Sequence, residues 1–112
     1  MNKKSGMKIL FDQGTPVPLR KLLPEHSIVT AYERGWQTLE NGDLIATAEA
    51  DWFEVILTTD QNLKYQQNLT GRNISIAVLS STSWPRIREN ADAIRVALDN
   101  LDSTSFLEIE IK

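Results

Sequence analysis

Two aspartates stand where short apolar runs end. Asp12 follows Lys8-Ile9-Leu10-Phe11, and Asp60 closes the run that begins at Phe53 and passes through Val55-Ile56-Leu57-Thr58-Thr59. If the two strands are neighbours, both carboxylates project into one crevice, where their repulsion raises at least one pKa unless a divalent cation neutralises them. That is the chemistry of a Mg²⁺ or Mn²⁺ site. Asp43, near the start of a helix beginning at the same end of the sheet, joins from the side and makes a set of three carboxylates. Each aspartate taken singly also fits a turn or helix N-cap, since Asp12-Gln13-Gly14 and Asp60-Gln61-Asn62 are turn-forming strings. Convergence separates the two readings.

Other chemistries are thin. The sequence has no cysteine, which removes disulfides, thiolate metal sites and thiol nucleophiles together. Its single histidine, His26, reads as a turn residue and cannot build a His-rich zinc site. Trp36, Trp52 and Trp84 read as core or cap packing, although aromatic rings also stack on nucleobases. Lys64, Arg72 and Arg86 fall in segments expected near the strand-end rim, as phosphate contacts or as solvated surface. There is no glycine-rich phosphate loop. A formal charge of -3 argues against coating nucleic acid through a general basic field.

The elements that must position these residues read as an α/β domain. With 112 residues the chain is one domain's worth, with residues 1–6 as an N-terminal extension and 7–112 as the folded unit. Strands are expected at Met7–Phe11, Ile28–Tyr32, Phe53–Thr59, Ile74–Leu79 and Phe106–Ile111. Between them, helices are expected after Pro18 with Leu19, Leu22 and Leu23 inward, from an Asn41 N-cap to Asp51, over 61–69, and from Ser83 to Leu101. The last of these carries Arg88 with Asp92 and Arg95 with Asp99 at i, i+4. The final strand alternates apolar and acidic residues, as at a sheet edge. Strands alternating with helices predict a three-layer α/β/α fold with a mostly parallel sheet of about five strands. In such sheets, ligands bind beyond the carboxyl ends of the strands, where strand order reverses. No apolar run approaches the ~20 residues of a membrane span, so a cytoplasmic protein with no membrane contact is expected.

The order of the short motifs resembles one family. Lys8-Ile9-Leu10-Phe11-Asp12, Leu22-Leu23 followed by His26, Gly35-Trp36, and Leu57-Thr58-Thr59-Asp60-Gln61-Asn62-Leu63 together resemble the small prokaryotic PIN-like domains, a domain of unknown function related to toxin–antitoxin ribonucleases. The likeness spans Met7 to about Leu101. It implies Mg²⁺ or Mn²⁺ held by acids at the end of the first strand, at the start of the second helix and after the third strand. Mapped onto this chain, these are Asp12, the neighbourhood of Asn41 and Asp43, and Asp60. The family's acid directly after the first aspartate is Gln13 here, its middle acid falls on Asn41, and the second acid after the third strand is Asn62. Amides bind cations weakly and cannot act as a general base.

The resemblance therefore implies a metal-dependent endoribonuclease cleaving single-stranded RNA, a toxin component with an antitoxin or other protein partner, and by analogy a homodimer. Asp12, Asp43 and Asp60 would hold the metal, with Gln13, Asn41 and Asn62 as polar support. The alternative is a PIN-like domain whose catalysis is weakened or lost and which binds a protein partner, with Glu108 and Glu110 of the last strand offered to a basic surface. A receiver-like phosphoacceptor is a third reading, with Asp60 as acceptor; it meets Gln13 where a second acid is wanted.

Overall fold

The computed structural model describes residues 6–63, 72–101 and 106–112. Five short strands form one sheet: β1 (Lys8–Phe11), β2 (Ser27–Thr30), β3 (Val55–Thr58), β4 (Ser75–Leu79) and β5 (Phe106–Ile109). Every pairing is parallel and the spatial order is β2-β1-β3-β4-β5. The central strands β3 and β4 are buried throughout, as expected for strands covered on both faces. β5 lies at the edge, with Glu108 and Glu110 exposed and Ile109 and Ile111 buried.

Side-chain alternation divides the core into two layers. Ile9, Phe11, Val55 and Leu57 face a cluster containing Leu19, Leu23, Ile87, Ile94 and Leu98. Leu10, Ile56, Ile76 and Val78 face the opposite way, onto Leu44, Ile45, Ala48 and Leu63. The first cover is a 3-10 helix (Val17–Leu22) together with helices α2 (Trp84–Glu89) and α3 (Ala91–Asp99); the second is α1 (Asn41–Ala50). The architecture is three-layer α/β/α.

Several elements differ from expectation for local reasons. The segment after Pro16 is a 3-10 helix, closed by Leu19 N–H to Pro16 O and Leu23 N–H to Arg20 O. Pro18 brings no amide donor and Pro24 bars continuation, so a tight short helix is what the backbone can form. The helix expected from Ser83 to Leu101 divides at Asn90, whose φ of -102° and ψ of 15° leave the helical range. Its side-chain amide donates to Arg86 O at 2.7 Å, a back-bond that competes with the helix ladder. On that surface Arg95 pairs with Asp92 at i, i+3 (2.9 Å) in place of the i, i+4 pair with Asp99.

Helix α1 starts at Asn41, but its N-cap is Glu40 and the cap makes no side-chain hydrogen bond. Its far end is a Schellman closure, with Phe53 N–H bonded to Ala48 O and Trp52 N–H to Glu49 O, both at 3.0 Å. Trp52 occupies the left-handed position of that motif (φ 69°) and its side chain is 82% exposed, so it is neither core nor cap packing. Trp36 packs edge-on to Phe53, and Trp84 packs against the first core cluster. His26 lies in a turn and is buried: its Nδ1 accepts from Met7 N–H at 3.2 Å. Residues 1–5, and the helix expected over 61–69 beyond Leu63, lie outside the described residues.

Candidate functional site

In a doubly wound sheet of order 2-1-3-4-5 the strand order reverses between β1 and β3. β1 leads into the 3-10 helix on one face, whereas the chain leaving β3 carries Leu63 into the opposite core layer. The two loops diverge and leave a crevice above the β1–β3 seam. Phe11 and Leu57 are the last paired residues of these strands, so Asp12 and Thr58 stand next to each other one step further on.

A chain of hydrogen bonds ties the crevice together. Thr58 Oγ1 donates to Asp12 Oδ2 at 3.0 Å and accepts from Asp60 N–H at 3.0 Å. Asp12 N–H donates to Leu57 O at 3.0 Å, and Asp12 Oδ1 accepts from Gln13 N–H at 2.7 Å. Asp60 Oδ1 accepts from Asn62 N–H at 3.0 Å, while Asn41, at the first turn of α1, approaches Asp60 Oδ2 with its amide at 3.4 Å. The loop after β1 is held against β3 by Thr15 Oγ1, which donates to Leu57 O at 3.0 Å. Gly14 has a φ of +97°, a conformation that strains any other residue, and a Cβ there would press on Thr59 Oγ1 at 3.0 Å.

Burial raises the Asp12 carboxyl above the ordinary carboxylate range; hydrogen bonds from Thr58 and the Gln13 amide oppose this, and the nearby charge of Asp60 adds to it. Among the described residues, none of the groups acting on Asp12 is cationic. Two carboxylates thus meet in one crevice, with no positive partner shown for Asp12 among the described residues.

The remaining expected residues are distributed around this pair. Asp43 lies in the first turn of α1 and is exposed; among the described residues, no group of three or more His, Cys, Asp or Glu side chains is arranged to hold a metal ion. Gln13 and Asn62 are exposed and contribute their backbone amides to the aspartates, not side-chain oxygens. Arg86 is at the strand-end rim, where its guanidinium donates to Ile111 O at 3.0 Å. Arg72 precedes β4 and so lies at the other end of the sheet, where it pairs with Glu49 in the last turn of α1 at 2.7 Å. That placement removes it from the rim. Lys64 lies outside the described residues.

Four residues around the site are not singled out by the strand-end acids. Thr58 and Thr59 were legible only as the end of a strand, although two hydroxyls directly before a strand-end aspartate are a usable signal. Tyr32 and Glu33 lie past the true end of β2 at Thr30, because Glu33 turns back to accept from Thr30 N–H at 2.9 Å and from Arg20 at 2.9 and 3.2 Å. These bonds, the Arg20 pair foremost, hold the Glu33 carboxyl down at about 2.

Fold and crevice together define a doubly wound α/β protein with an acid pair at its topological switch point. Comparison of the chain with protein-family models, curated proteins and solved structures finds no match. Among the described residues no helix is long and apolar enough to cross a membrane.

Proposed function

We propose that the protein is a PIN-like metal-dependent ribonuclease acting on single-stranded RNA. The observation that carries this reading is the convergence of Asp12 and Asp60 on Thr58, in the crevice where ligands of such sheets bind. The donor set fits Mg²⁺ or Mn²⁺: two carboxylates in an all-oxygen environment, one of them made costly to ionise by burial and by the other's charge. Asp12 and Asp60 would hold the ion, and the exposed Asp43 stays outside that pair.

A divalent ion bound there supplies a water of lowered pKa and offsets charge on the phosphodiester. The chain's own residues prepare for it. Thr58 fixes the Asp12 rotamer through Oδ2, and among the described residues Oδ1 is bonded to a backbone amide alone. The Asn62 amide does the same for Asp60. Asn41 contributes either end of its amide, since rotation by 180° about χ2 exchanges a donor for an oxygen ligand.

The contact between Asn41 and Asp60 also favours a second reading, in which the amide takes a position a cation would need and the domain binds a protein partner without catalysis. Calorimetric titration with Mn²⁺ of the wild type, Asp12→Ala and Asp60→Ala, alongside cleavage of a labelled single-stranded RNA, separates the two. Binding and turnover lost in both variants support the nuclease. Equal titration curves for all three proteins would remove the metal site.

A further inference from the structure

Asp12 also lines a second feature. A cleft of about 290 Å³ opens on the β2 side of the acid pair, between the loop after β1 and the end of β2. Phe11 and Val17 form apolar wall, Thr30 and Glu33 close the far side, and Tyr32 stands on the rim. The volume is at the small end of ligand sites, which begin at about 300 Å³, and suits one ring system.

Two of these residues meet the cleft in contrasting ways. Tyr32 is 74% exposed, so its ring contributes little to the core and offers a flat amphipathic face. Glu33 is the reverse, a carboxylate fixed in place. Its Oε1 accepts from Thr30 N–H and one Arg20 nitrogen, and its Oε2 from the other Arg20 nitrogen. A carboxylate has roughly four acceptor positions, so one remains, on Oε2. The other charged group in the cleft, Asp12, is likewise an acceptor. The wall thus matches a planar ring with N–H donors on one edge.

We propose that this cleft is a nucleobase subsite, in which the base beside the cleaved phosphate stacks on Tyr32 and turns its N–H edge to Glu33. Guanine fits best, because one open acceptor position takes one ring N–H, and in guanine that N–H is flanked by an amino group, whereas in uracil it lies between two carbonyl oxygens that repel a carboxylate. The assignment rests on the nuclease reading above: Asp12 belongs to both sites, so a base in the cleft lies directly beside the acid pair.

Amide-resolved NMR titration of the full chain, without metal, tests this with 5′-GMP, 5′-UMP and ribose 5-phosphate. 5′-GMP is expected to shift the Gln13, Thr30 and Tyr32 amides, and 5′-UMP to bind about fivefold more weakly. Tyr32→Ala is expected to weaken 5′-GMP about tenfold, and Tyr32→Phe to retain it. Because the side chain is exposed, the fold should survive both changes, which the dispersion of the same spectra verifies. Equal shifts from ribose 5-phosphate, or unchanged 5′-GMP affinity in Tyr32→Ala, would overturn the subsite. RNA turnover with no response of the cleft to 5′-GMP would leave the nuclease and remove the subsite; 5′-GMP binding without turnover would do the opposite.

Discussion

The Thr58 hydroxyl donates to Asp12 Oδ2 at 3.0 Å from a fully buried position 46 residues away in sequence, and Thr58 Oγ1 in turn accepts from the Asp60 backbone N–H. One side chain therefore orients the Asp12 carboxylate and anchors the backbone that carries Asp60. Thr58→Val keeps the shape and removes the donor, leaving a buried carboxylate oxygen short of a partner; a loss of stability of about 1–3 kcal/mol is expected. Mn²⁺ affinity should fall roughly 10- to 100-fold, the usual effect of removing a group that orients a ligand. Thr58→Ser, which retains the hydroxyl, should restore most of the affinity. Denaturant melts and calorimetry measure both, and a Val variant that binds Mn²⁺ like the wild type would show that Asp12 needs no such support.

Asp12 itself is expected to weaken the fold at neutral pH. Its pKa in the folded protein is raised above the unfolded value, so its contribution to stability is greatest below the unfolded pKa and is lost as pH rises through the folded one. Asp12→Asn should accordingly raise the thermal midpoint at pH 7 while reducing the gain that the wild type shows on mild acidification. Added Mg²⁺ should raise the midpoint of the wild type and leave that of Asp12→Asn in place. A destabilised Asn variant at pH 7 would mean that the hydrogen bonds to Asp12 outweigh its burial and the repulsion from Asp60.

Glu33 has the opposite sign. Its pKa falls from 4.5 to about 2 on folding, so its stabilising contribution is complete above pH 4.5 and disappears as pH drops toward 2. Glu33→Gln and Arg20→Met should each flatten the stability profile in that window, and the double variant should flatten it no further than either alone. Acid unfolding followed at several pH values checks the effect; additive losses would argue that the pair does not act as a unit.

How far the sequence revealed this arrangement depends on whether a residue acts locally. Apolar runs located all five strands to within a few residues, and the strand-end rule directed attention to Asp12 and Asp60. Strand order is a global property, and no pattern around Phe11 or Leu57 states that these two residues pair. Asn41 has the composition of a helix cap, but its amide instead approaches Asp60, a contact made only once β3 lies beneath α1. Asn90 is the converse: its tendency to bond its own backbone was visible in its type and was masked by the regular spacing of Ile87, Ala91, Ile94 and Leu98. Arg72 was misplaced because the residue count from β3 to β4 does not tell which end of the sheet a loop residue occupies.

The left-handed residue closing α1 provides a test of the fold independent of any function. Non-glycine residues pay roughly 1–2 kcal/mol in this conformation, through the clash of Cβ with the following carbonyl. Trp52 recovers little of that by packing, since 82% of it is exposed. Both Schellman hydrogen bonds, from Trp52 and Phe53, use backbone donors that glycine also has, and the buried Phe53–Ala48 side of the motif does not involve the indole. Trp52→Gly should therefore stabilise the protein by about 1 kcal/mol, part of the relieved strain being offset by the greater freedom of glycine in the unfolded chain. For a domain of this size that corresponds to a rise of roughly 4 °C or more in Tm. Trp52→Ala keeps the Cβ, and with it the strain, so its melting point should remain near that of the wild type. If both variants melt lower, the indole makes a stabilising contact that outweighs its conformation; a gain confined to glycine would establish backbone strain at position 52 as the cause.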